Sequence, residues 1–140
     1  MALGKFHVIL VHFPIALALA AVLGDVLWII WRKDFFRGAA FYCLLLAAVA
    51  AIPTVITGDM HLDDKGYTGE YLSLAEKHQD FGIASMCVLL AAGLVRAVRR
   101  NRPTGWWLGA YVVLIVAIAA LISITGYYGG DLSHGEHYLF

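Results

Sequence analysis

Apolar residues run along this chain in four long blocks, roughly Val8 to Trp31, Ala39 to Thr57, Phe81 to Val98 and Trp106 to Tyr127, separated by short polar stretches. At about 1.5 Å per helical residue, each block is long enough to cross a hydrocarbon core of about 30 Å. A backbone in lipid must satisfy its own hydrogen bonds, so each block is predicted to be a helix. The pattern therefore predicts one transmembrane domain over residues 1–140, an all-α, up-down four-helix bundle. A cleaved signal peptide is the competing reading of the first block, which follows Lys5 and carries Ala18 and Ala20. An apolar run reaching Trp31, with His12 and Pro14 inside it, is too long and too polar near its start for that.

Composition agrees, since 61% hydrophobic and 14% charged residues with a mean hydropathy of +0.78 cannot clothe a water-soluble globule. Charge then orients the bundle. Arg32, Lys33 and Arg37 follow the first block, and Arg96, Arg99, Arg100 and Arg102 close the third; basic residues in short loops stay in the cytoplasm. The other face carries Asp59, Asp63, Asp64, Glu70, Glu76, Asp80, Asp131 and Glu136 against Lys5, Lys65 and Lys77. Both termini are thus expected on the periplasmic side of a bacterial inner membrane. Trp31, Trp106 and Trp107 mark one interface, and Tyr127 and Tyr128 the other.

All six histidines, His7, His12, His61, His78, His134 and His137, fall at or just inside the outer boundary. Outer loops are the longer ones, so His61 and His137 are explained equally well as solvated loop residues. His12 differs, lying within an apolar run, and His78 opens the third block at a comparable depth; ionisable groups there are functional candidates. Cys43 and Cys87 read as small packing residues, with neither a disulfide nor a haem-attachment motif indicated.

A weak internal duplication adds to this. Ile56-Thr57-Gly58 overlies Ile124-Thr125-Gly126 with a shift of 68 residues, bringing His12 within two positions of His78. A parallel repeat of hairpins would set those histidines across a bundle facing a common centre. Ala16 and Gly82, each four residues on, leave room for a flat macrocycle. Two neutral imidazoles in an apolar slot are what bis-histidine haem ligation needs, so haem b is the expected cofactor, on His12 and His78. His7 and His134 could hold a second haem. Lys5, Lys65, Lys77 and the backbone amides around Gly129 and Gly130 are candidates to receive propionates.

The segment Phe6-His7-Val8-Ile9-Leu10-Val11-His12-Phe13-Pro14-Ile15-Ala16-Leu17 resembles the opening motif of a domain-of-unknown-function family of small four-helix bacterial membrane proteins. Thr125-Gly126-Tyr127-Tyr128-Gly129-Gly130-Asp131-Leu132-Ser133-His134-Gly135-Glu136-His137 is similar to the form of that domain attached to planctomycete-type c-type cytochrome modules. The resemblance covers nearly the whole chain. It places His7, His12, His78 and His134 on the family's recurrent histidines, and Gly129, Gly130 and Gly135 on its glycines. Val8 stands where members often have proline, and Tyr127 where they often have histidine. The resemblance implies electron transfer with a periplasmic c-type cytochrome.

The resulting expectation is a b-type cytochrome membrane subunit, an electron-transfer subunit rather than a stand-alone enzyme. It would carry electrons between the quinone pool and a periplasmic redox partner, within a complex or homo-oligomer. The alternatives are a periplasmic-face copper or other metal site using His7, His61 or His134, with Met60, Asp63 and Asp64 nearby, and a metal-free anchor or scaffold. Asp59, Tyr67 and His61 are the candidates for a quinone site. Asp25 is either a proton-relay carboxylate or a partner of Arg32. No phosphate loop, catalytic triad or nucleic-acid-binding pattern is present.

Overall fold

The computed structural model describes residues 6–99 and 101–134, His134 by its backbone alone. Lys5, Arg100, Gly135, Glu136 and His137, named above, lie outside the described residues. The protein is an up-down bundle of four spans, each long and apolar enough to cross a membrane. The first span is α1 (His7–Leu10) and α2 (His12–Trp31); the second is α3 (Asp34–Lys65), the third α4 (Glu70–Val98) and the fourth α5 (Trp106–His134). No strand occurs among the described residues.

The interruption between α1 and α2 falls at Val11, three residues before Pro14. Proline has no N–H to offer the carbonyl four residues back, so the Leu10 oxygen loses its helical partner. The Thr54 hydroxyl faces that oxygen at 3.5 Å from the second span. Pro53, by contrast, leaves α3 continuous.

The helices outrun the apolar blocks. The second span continues to Lys65 instead of ending near Thr57, and the third begins at Glu70 instead of Phe81. The acidic stretch expected as a long loop is therefore mostly helix, leaving a four-residue turn over residues 66–69. Hydropathy marks where lipid stops, not where a helix stops. The actual stop is conformational: Gly66 and Gly69 sit at φ +59° and +60°, a region open to glycine, and the Gly66 amide caps the Leu62 carbonyl. Lys65 in the last turn and Glu70 in the first complement the two helix dipoles.

Alanine dominates the core. Ala21, Ala40, Ala47 and Ala92 are wholly buried, and a Cβ added to Gly24 would lie 3.0 Å from that of Ala40. Lipid gives apolar side chains no reason to hide from it, so spans associate through close backbone approach, which small residues permit. Larger apolar residues such as Phe13, Leu94 and Val113 face outward.

The two hairpins, first with second span and third with fourth, are related by a shift of 71 residues, which corrects the 68-residue alignment expected above. This shift carries His7 onto His78, Thr54 onto Thr125 and Gly58 onto Gly129. It also carries Asp25 onto Arg96, and these two meet. Arg96 is 2% exposed; its Nη1 donates to both Asp25 oxygens at 2.7 and 2.9 Å and to the Tyr111 hydroxyl at 2.7 Å. Its Nη2 donates to the Arg37 carbonyl at 3.0 Å, and Asn101 accepts from the same guanidinium. The Tyr111 hydroxyl donates to Asp25 in turn. Asp25 thus pairs with Arg96 rather than Arg32, and all four spans are clasped at the arginine end of the bundle.

Candidate functional site

At the opposite end, the same repeat places two histidines in matching cradles. The His7 Nδ1 lies 2.9 Å from the Thr54 carbonyl oxygen, and the His78 Nδ1 lies 2.9 Å from that of Thr125, each across 47 residues of chain. A carbonyl can only accept, so each Nδ1–H donates. In the neutral ring this leaves the lone pair on Nε2. A histidine fixed through one nitrogen by a backbone carbonyl is the arrangement that orients imidazoles for metal ligation and raises their basicity.

Each cradle also has a floor of glycine. A Cβ on Gly58 would come within 3.0 Å of His7 Cε1, and one on Gly129 within 2.9 Å of His78 Cε1. Gly129→Leu is therefore expected to push the His78 ring off the Thr125 carbonyl. Nitrogen NMR of the labelled imidazole checks this, and an unchanged Nδ1–H resonance would contradict it.

Because the cradles are symmetry mates near the axis, their imidazoles meet. The rings of His7 and His78 have centroids 6.3 Å apart at an interplanar angle of 87°. His61 stacks on His7, with centroids 6.2 Å apart. These three rings and His12 line a cavity of about 630 Å³ that extends to Leu89 and Ile122. Its walls are largely apolar or small, including Ala51, Gly82, Ser85 and Gly126.

The expected site residues distribute as follows. His7, not His12, stands opposite His78, because the repeat register is 71 and position 12 corresponds to Ile83. His12 lines the same cavity about 7 Å deeper than His7, at about 1.5 Å per residue, and is exposed. Gly82, Gly129 and Gly130 line the cavity, whereas Ala16 is exposed and does not. Gly129 and Gly130 lie inside α5, whose helical hydrogen bonds occupy their amides, so they are poor receivers for propionates. His134 is the last residue of α5, and its side chain lies outside the described set.

Lys65 is at the cavity rim, Lys77 lies 6.0 Å from the Tyr128 ring centre, and Asp59 accepts from Gln79 Nε2 at 2.7 Å. Tyr67 and His61 line the cavity, and Tyr67 stacks on Tyr71. Cys43 and Cys87 are free thiols. Among the described residues, no three or more His, Cys, Asp or Glu side chains gather so as to hold a metal ion by themselves. Sequence reasoning missed Thr54 and Thr125 because they act through backbone carbonyls, which every residue has. It missed the Arg96 clasp because that arginine reads as one of a basic cluster beside a turn.

Comparison with known proteins gives a family and nothing finer. No curated protein and no solved structure matches the chain. A family model described as predicted membrane protein (DUF2231) covers residues 5–137, and the chain belongs to that family.

Proposed function

We propose that this protein is a b-type cytochrome subunit of the bacterial inner membrane, holding one haem b near the periplasmic face between His7 and His78. The observation that carries the reading is the neighbouring pair of carbonyl-anchored imidazoles, with ring centroids 6.3 Å apart. Two imidazoles bound on opposite sides of one metal through bonds of about 2.0 Å have their centres about 6 Å apart. Two protein ligands suit haem in particular, because the porphyrin supplies the other four positions. The cavity falls within the range of about 300–1,000 Å³ usual for small-molecule and cofactor sites.

Haem, when bound, supplies a one-electron iron couple. The chain's own contribution is orientation and exclusion of water. The Thr54 and Thr125 carbonyls hold both ring nitrogens in the ligating tautomer, and Gly58 and Gly129 let the rings lie flat on their helices. Lys65 at the rim offers a cation to carboxylates. Electrons would pass to a periplasmic redox partner, a c-type cytochrome or similar subunit, in a complex or oligomer. His7 is committed to His78, so a second haem on His7 and His134 is not part of the proposal.

The test is an absorption spectrum of detergent-purified protein, oxidised and dithionite-reduced, with a pyridine haemochrome assay. The expected result is a sharp reduced α-band and one haem per chain. A featureless spectrum from cells well supplied with haem would sink the proposal.

A further inference from the structure

In an exact two-fold bundle the fourth span would pack on the first as the second packs on the third. Here the second and third spans pack extensively, while the first and fourth touch only sparsely. The Tyr111 hydroxyl on Asp25 ties that seam at the arginine end. The cavity reaches the loosely packed seam towards the histidine end, with His12 and Ile15 on one wall and Ile122 and Gly126 on the other.

Three observations point to an occupant. His12 is exposed in the seam and hydrogen-bonds to no described residue, although an imidazole at membrane depth normally has a partner. A Cβ placed on Gly82 or Gly126 meets nothing within 4 Å, so the space beside these glycines is not taken up by packing. The slot also reaches the His7 and His78 pair without leaving the protein.

We infer that the seam between the first and fourth spans admits a lipid-soluble quinone from the bilayer, with His12 as the hydrogen-bonding partner of its head group. The choice of a quinone rests on the proposed electron-transfer role of the same cavity. It also follows from the wall chemistry. At seam depth His12 presents ring nitrogens, and an imidazole can donate to a quinone carbonyl through an N–H or accept from a quinol hydroxyl through a lone pair. A phospholipid phosphate would want cations, and the cavity's lysine is at the rim.

The test is equilibrium binding of a radiolabelled decyl-benzoquinone to the purified full-length protein, with haem content measured on the same samples. His12→Leu is expected to weaken binding at least about tenfold, on the scale of one lost hydrogen bond to a buried partner, and Gly126→Leu to abolish it by filling the slot. Of the two, His12→Leu should keep the haem content of the parent. Val113→Leu, on the lipid-exposed face of the fourth span, is the control and should bind normally. Parent-like binding in both seam variants, loss of haem in His12→Leu, or no binding by a haem-replete parent would each overturn the inference. Seam-dependent binding by a haem-free parent would support the seam and sink the cytochrome reading instead.

Discussion

Arg96→Leu is expected to destabilise the bundle by about 3–5 kcal/mol, the cost of removing one partner from a buried ion pair. The guanidinium is 2% exposed and satisfies Asp25, Tyr111, Asn101 and the Arg37 carbonyl at once. Its loss leaves the Asp25 carboxylate with only the Tyr111 hydroxyl, in a place that water reaches poorly. Arg96→Lys should recover little, because a point charge cannot span acceptors on several sides. Asp25→Asn should cost less than Arg96→Leu, since an amide still accepts. The double variant Asp25→Leu with Arg96→Leu should be less damaged than the sum of its parts, because no unpaired charge remains. Unfolding followed by circular dichroism in mixed micelles reads all four. An Arg96→Leu protein within about 0.5 kcal/mol of the parent, the spread usual for inconsequential surface changes, would show the clasp to be dispensable.

The second large effect is at the other end. On the proposed cytochrome reading, His7→Gly and His78→Gly are each expected to remove the Soret band, whereas His12→Gly keeps it. Loss of colour alone does not separate ligation from folding, so the decisive readout is rescue. On the proposed cytochrome reading, exogenous imidazole should restore a haem spectrum to the His7→Gly and His78→Gly proteins by standing in for the lost side chain. Haem retained in His7→Gly and lost in His12→Gly would return the axial role to His12 and leave the His7 cradle as packing. Failure of imidazole to restore either axial variant, with helicity intact, would count against direct ligation.

Much of this architecture can be read from the chain, and what cannot has identifiable causes. The four spans announce themselves because lipid demands uninterrupted apolar runs. Their ends do not, since α3 and α4 continue as polar helix beyond the hydrocarbon and stop only at Gly66 and Gly69. The repeat is visible but easily misregistered. The literal match of Ile-Thr-Gly selects Thr57 as the partner of Thr125, while the geometry selects Thr54, which holds His7 as Thr125 holds His78. A pattern of histidine, a 47-residue interval, threonine and then glycine four residues on would have found both cradles. Haem is a candidate from the sequence because the repeat sets two histidines of comparable depth on opposed helices beside small residues. The identity of the facing pair needed the three-residue correction in register.

The meeting of Asp25 and Arg96 at equivalent positions also decides who can pair with whom. Two copies of the first hairpin, brought together by the same two-fold operation, would set Asp25 against Asp25. Two copies of the second would set Arg96 against Arg96. Like charges confronted away from water repel strongly, and only the mixed arrangement cancels them. The histidine end carries no such instruction, since His7 and His78 are the same residue in the same cradle. Symmetry at one end of the axis thus builds a centre from equal halves, and the charge pair at the other end makes the two halves complementary and not interchangeable.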